Sequence, residues 1–269
     1  MTESATVGER DEDVILAGST HMAESQNSKH GGKYFLSAAY VENPQTSADT
    51  AESTFWDPDT DYGATRFQEG VYEWAARLIE SKRAMVIDIG CGTGHKLAAL
   101  VAPVAKDWLG VDQDSAISIA SRECPEGNWL CSDLSQPEVW ADLAELRADL
   151  VICSDVIEHL PDPLELLHRL GALIGPTGHV LVSTPDRSRL EDRNPFGPPK
   201  NPLHIREWIP EEFKLLAESA GLEVVEVRHF FPRGYSPTVA NFRRLVKRAL
   251  QFRALPDRRN TMTFLLRAA

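Results

Sequence analysis

Residues 85–100, Met-Val-Ile-Asp-Ile-Gly-Cys-Gly-Thr-Gly-His-Lys-Leu-Ala-Ala-Leu, restrict the fold of this 269-residue chain more than any other stretch. Residues 85–89 form a short apolar run that reads as a buried parallel strand, and 96–102 read as the start of a helix. Gly90, Gly92 and Gly94 alternate between them. Glycine takes dihedrals that other residues resist, and its missing Cβ lets backbone pass close to a ligand. The helix that follows opens with unpaired N–H groups facing the same point.

The spacing narrows the ligand. A dinucleotide turn reads G-x-G-x-x-G and seats a pyrophosphate on the helix N-terminus. Here the pattern is Asp88-x-Gly90-x-Gly92-x-Gly94, with a carboxylate inside the strand end that repels a pyrophosphate and suits an ammonium or sulfonium charge. The segment Asp88-Ile-Gly90-Cys91-Gly92-Thr-Gly94 resembles the first motif of class I S-adenosylmethionine (SAM) dependent methyltransferases. The resemblance implies SAM as the cofactor and these residues as part of its site.

From residue 85 onward, strands and helices alternate, which is the pattern of a parallel sheet covered on both faces. Strands are predicted over 85–89, 108–111, 128–131, 150–154, 180–183, 223–229 and 261–267. The resemblance implies an α/β, Rossmann-like fold: a seven-stranded, mostly parallel sheet whose last strand is antiparallel beside the sixth. Ligands of such sheets bind beyond the carboxyl ends of the strands.

Asp112 ends the second strand about twenty residues after the glycine turn, where a carboxylate can accept both ribose hydroxyls. Gln113 follows it. Asp133 follows the third strand, and the resemblance implies that it receives the adenine amino group while Leu134 offers its backbone N–H to the ring. Ser154 closes the fourth strand, next to the expected methyl donor. Each aspartate alone also reads as a turn or helix cap. Three acidic residues at three successive strand ends are hard to explain that way.

After the fourth strand, Asp155, Glu158 and His159 are spaced to project from a single turn. With His204 downstream, they resemble the subgroup containing quinone-biosynthesis O-methyltransferases and small-RNA 2′-O-methyltransferases, in which a Glu-x-x-Glu-His turn and a later histidine bind a divalent metal. The first ligand here is aspartate, one methylene shorter. Three readings stay open: metal ligation by Asp155, Glu158, His159 and His204, general-base catalysis by His159 or His204 without a metal, and a structural role. The subgroup favours an oxygen acceptor on a small molecule; an RNA methyltransferase and a non-catalytic SAM-binding regulatory protein are the alternatives.

Composition supplies the rest. The net charge is −12, and residues 1–63 carry twelve Asp or Glu against three Lys or Arg, so most of the excess precedes the predicted sheet. Residues 1–30 are polar, acidic and poor in apolar side chains, which predicts disorder. Residues 31–63 hold six aromatics that should fold onto something; the resemblance implies a cap on the domain formed by 64–269, and rings that only patch core surface are the alternative. A helix is predicted over 65–81. An acidic protein without a recognisable RNA-binding module is not drawn to nucleic acid by bulk charge.

Two segments read as substrate elements. Residues 187–202 are long for a connection and rich in proline, as lids often are. The insertion 231–260 places Arg243, Arg244, Lys247 and Arg248 opposite an apolar face, reading as a solvated helix surface, an anionic-acceptor site or a weak membrane-surface contact. No apolar run approaches the roughly 18 residues of a membrane span, and no signal peptide is recognisable, which predicts a cytoplasmic location. Cys91, Cys124, Cys131 and Cys153 show no C-x-x-C pairing and are expected to be reduced packing residues.

Overall fold

A computed structural model describes residues 32–44, 68–80, 83–134, 136–190, 195–231 and 259–269. The acidic stretch 1–30, the second aromatic group of the cap and residues 232–258 of the basic insertion lie outside them.

Seven strands form one sheet in the order β3-β2-β1-β4-β5-β7-β6. They are β1 (Met85–Ile89), β2 (Asp107–Asp112), β3 (Trp129–Cys131), β4 (Ala148–Ser154), β5 (Ile174–Pro185), β6 (Leu222–Phe230) and β7 (Thr261–Ala268). The pairs β1–β2, β1–β4, β2–β3 and β4–β5 are parallel. β7 inserts between β5 and β6 and runs antiparallel to both, so the sheet is the Rossmann-like one expected. The helices are α1 (Glu69–Ile79), α2 (Asp114–Glu123), α3 (Pro137–Ala144), α4 (Pro163–Leu173) and α5 (Pro210–Ser219), with a π-helical segment Leu97–Val101 after the glycine turn.

The strands near the centre are apolar on both sides because both sides are covered. Val86, Leu150 and Ile152 face a cluster containing Val71, Trp74, Ala75 and Ile79 of α1. Ile87, Ile89, Val151, Val180 and Val182 face the opposite cluster, which contains Leu166, Leu167 and Leu170 of α4 and Phe213 and Leu216 of α5. α5 starts as its sequence dictates: Pro210 is at the first turn, Glu212 accepts from the Ile209 amide at 3.1 Å, and Gly221 takes φ +73° just beyond its end. Among the described residues no helix is long and apolar enough to cross a membrane.

β5 differs from its predicted start at residue 180 and begins at Ile174. The strand extends back to residue 174, where Ile174 pairs with Ala148 ahead of a register shift at the start of β4. Helix α1 is shorter than 65–81, and residues 65–67 and 81 lie outside the described residues. The four cysteines are free, but only Cys91 and Cys153 are buried; Cys131 is exposed and does not pack in the core.

Candidate functional site

Two groups of polar residues meet at the carboxyl edge of the sheet. The first belongs to β1, β2 and β3. Asp88 is the penultimate residue of β1 and is fully buried. The Tyr72 hydroxyl, from α1, donates to its Oδ2 at 2.9 Å, while Oδ1 is buried with no hydrogen-bond partner. Burial pushes the Asp88 carboxyl up to about 7, against the downward pull of the Tyr72 hydrogen bond and the Lys96 charge. Burial also drives the Tyr72 hydroxyl pKa well above its usual value, with the Asp88 charge second.

The glycine turn takes the left-handed backbone that its sequence suggests, with φ of +76°, +59° and +69° at Gly90, Gly92 and Gly94. The reason for the missing Cβ atoms differs in part from close ligand approach. A Cβ on Gly90 would strike Val156 Cγ2, and one on Gly94 would strike the Trp129 indole. Gly90 thus locks the turn after β1 to the turn after β4.

Asp112 closes β2 and is held at both oxygens. The Gly92 amide donates to Oδ2 and the Gln113 amide to Oδ1, each at 2.7 Å. Burial raises its pKa and these two amides oppose the rise. Asp133 is exposed beyond β3, where its Oδ2 accepts from Gln136 Nε2 at 3.4 Å. The Leu134 carbonyl accepts from Trp140 Nε1 and Arg169 Nη1.

The second group lies beyond β4 and β5. Ser154 and Ser183 share a buried hydrogen bond of 2.7 Å between their hydroxyls. Asp155 takes φ +63°, unusual for a non-glycine residue, and its amide donates to the Ser183 carbonyl at 3.1 Å. The 3₁₀ turn Ile157–His159 follows. Glu158 is fully buried, and neither carboxylate oxygen has a hydrogen-bond partner. Burial and then the Asp155 charge push its pKa well above the carboxylate range, and Thr184, also beside it, leaves its own hydroxyl unpartnered.

His159 Nδ1 lies 2.9 Å from the Leu203 carbonyl, which can only accept, so Nδ1 carries a proton. Burial and the neighbouring His204 lower its pKa, which favours the neutral ring. His204 Nδ1 lies 2.7 Å from Glu207 Oε1, and the two imidazoles meet edge to face at 4.8 Å. One potential ligand atom from each of Glu158, His159 and His204 lies within 4.8 Å of the others; Asp155 is not part of that group among the described residues.

Several contributors were not apparent as site residues from the sequence. Tyr72 reads only as a core position of an amphipathic helix, and Glu207 is visible only as a carboxylate three residues after His204. The N-terminal strap 32–44 is more revealing. Asn43 Nδ2 donates to the Pro199, Asn201 and His204 carbonyls at 2.9, 3.2 and 3.0 Å, and the Val41 amide donates to Phe196 at 2.7 Å. The expected lid is therefore fastened along 196–204 to the strap. Residues 191–194 of it lie outside the described residues.

Arg206 anchors the same strap. It is fully buried, donates from Nε to Glu42 at 2.6 Å and from its Nη atoms to the Leu160 and Pro161 carbonyls at 2.9 and 3.2 Å, and lies 4.6 Å from the centre of the Tyr34 ring. Arg206→Met keeps the bulk but leaves two carbonyls without these donors. It is expected to lower the unfolding free energy by about 2–4 kcal/mol, read from urea denaturation midpoints.

Residues 63–227 match the family model for a methyltransferase domain, which is more than half of the chain. The chain belongs to the methyltransferase-domain family. Among curated relatives of this methyltransferase, a Mycolicibacterium smegmatis protein named "Probable S-adenosylmethionine-dependent methyltransferase" is 30% identical over 72% of this chain and 70% of its own length. A ubiquinone biosynthesis O-methyltransferase from Cupriavidus pinatubonensis is 28% identical over 65% of this chain and 74% of its own. The methyltransferase also shares its fold with NcsB1, an O-methyltransferase from neocarzinostatin biosynthesis solved with SAM and 2-hydroxy-5-methyl naphthoic acid. That match has a TM-score of 0.52 and 15% identity, covering 77% of this chain and 55% of that one.

Proposed function

We propose that this SAM-dependent methyltransferase transfers its methyl group to a hydroxyl of a small-molecule acceptor. The observation that carries the donor half is Asp88 Oδ1, a buried oxygen without a partner beside the glycine turn. Such an atom is costly to keep unless a ligand supplies a donor, and the ammonium of SAM is one that also favours the ionised carboxylate. Asp112 then accepts from the ribose hydroxyls through the lone pairs that Gly92 and Gln113 leave. Asp133 and Leu134 take the adenine, and Gly90, Cys91, Gly92, Gly94 and Ser154 line the nucleoside and methionine path.

Acceptor chemistry falls to the cluster beyond β4. The acceptor oxygen attacks the sulfonium methyl in line, the carbon–sulfur bond breaks with its electrons going to sulfur, and the hydroxyl proton is lost. An imidazole whose Nδ1 is already engaged, as in His204 by Glu207, presents Nε2 as the proton acceptor. His159, kept neutral by its surroundings, is suited to the same task. Strap residues 32–44 and the fastened loop form the wall that aligns the two reactants and limits water.

The residues also fit a divalent metal, because a buried carboxylate lacking partners and two imidazoles converge there. Glu158, His159 and His204 would hold it, with Asp155 contributing charge from beside Glu158. When bound, such an ion lowers the pKa of a hydroxyl.

Incubating the purified protein with methyl-labelled SAM and a panel of phenols, alcohols and amines tests the assignment. The label is expected in an ether. Label recovered only on nitrogen or carbon would overturn the hydroxyl acceptor, and an unchanged rate after chelation and metal analysis would remove the ion.

A further inference from the structure

We infer that Tyr72 is a positioning residue for the methyl donor: its hydroxyl fixes the Asp88 carboxylate so that Oδ1 is presented to the donor's ammonium. The inference rests on the donor assignment above. A carboxylate can rotate about its Cβ–Cγ bond, and one held at Oδ2 by a buried phenol cannot do so without losing that bond. Tyr72 is itself nearly inaccessible, 1% exposed, so it is not a surface ligand that happens to reach inward. Its donor is committed, because an ionised Asp88 only accepts.

The groups facing Asp88 come from several elements. Tyr72 comes from α1, Lys96 from the segment after the glycine turn, Asp112 from β2, Cys91 from the turn and Cys153 from β4. Only Lys96 among them is cationic, and its Nζ lies 5.4 Å from the centre of the Tyr72 ring. Placed there, Lys96 favours an ionised Asp88. A half-buried cation, Lys96, and a buried phenol, Tyr72, thus both favour the charged carboxylate that a cationic ligand needs.

Tyr72→Phe keeps the ring and removes only the hydroxyl. SAM affinity, measured by calorimetry between pH 6 and pH 8, is expected to fall about tenfold near neutrality, because hydrogen bonds to charged groups are among the strong ones. The pH at which affinity reaches half its plateau moves upward, since the lost hydrogen bond had favoured ionisation of Asp88. KM for the acceptor stays unchanged. Lys96→Met, at a half-buried position, moves the midpoint the same way by a smaller amount. Adding Tyr72→Phe to Asp88→Asn produces little further loss if Tyr72 works through Asp88. Parental affinity and pH midpoint in Tyr72→Phe, or a loss fully additive with Asp88→Asn, would overturn the assignment. A parent protein that binds no SAM would instead remove the donor reading itself.

Discussion

Asp88→Asn is expected to weaken SAM binding about a hundredfold or more while making the donor-free protein more stable above neutral pH. The first effect follows from the proposed pairing of Asp88 with the donor's ammonium in a buried site, where a charge-assisted hydrogen bond is worth about 2–3 kcal/mol or more. The second follows from proton linkage. The Asp88 carboxyl has a folded-state pKa of about 7 against 3.8 in an unfolded chain, so the folded protein holds that proton more tightly. Its contribution is fully present below pH 3.8 and is lost as pH rises through about 7. The loss is on the order of 4 kcal/mol before relaxation. Asparagine does not ionise, so the variant's melting temperature is expected to exceed the parent's by several degrees at pH 8 and to match it or fall below it near pH 4. Melting curves across that range, with and without SAM, check both halves. A variant that is less stable at pH 8 and still binds SAM would contradict them.

The second large effect is at the acceptor. His204→Ala is expected to reduce turnover by about 10²–10⁴-fold, the range for a lost general acid or base, while SAM affinity stays within about threefold. His204 is anchored through Nδ1 by Glu207 Oε1 at 2.7 Å. Glu158→Gln separates the two ways in which His204 can act. If the histidines work alone, replacing the buried, unpartnered carboxylate costs little and relieves a destabilising group, because its pKa lies well above the carboxylate range. If an ion is held there, the same change lowers both turnover and metal content. Single-turnover rates with saturating SAM, alongside metal analysis of each variant, read out the difference.

The parts of the molecule that the sequence made readable are those governed by local pattern. The run 85–89 is apolar because β1 is covered on both faces, and β7 is apolar for the same reason, with Met262, Phe264 and Leu266 in one core cluster and Leu265 in the other. The carboxylates at Asp88, Asp112 and Asp133 are read from their places at strand ends, a position that the sheet topology turns into proximity. What escaped the sequence depends on contacts between distant segments. Asn43 binds carbonyls 156 to 161 residues away, and the Trp208 indole donates to the Tyr34 carbonyl across 174. No spacing rule reaches that far.

The glycines show a subtler limit. Gly90 and Gly94 are recognisable as obligatory from their pattern, yet the atoms that exclude a Cβ there belong to Val156 and Trp129. The missing atom was visible and what fills its place was not. Asp155 illustrates the same limit: its spacing groups it with Glu158 and His159, but gives no sign of the left-handed backbone at φ +63° that it adopts.

A cationic nucleoside donor is expected to lie across the tips of β1, β2 and β3. A crystal structure of the intact protein with S-adenosylhomocysteine tests it most directly. The ammonium is expected within hydrogen-bond distance of Asp88 Oδ1, both ribose hydroxyls on Asp112 and the adenine beside Asp133. A nucleoside bound elsewhere, with Asp88 Oδ1 still lacking a partner, would contradict it.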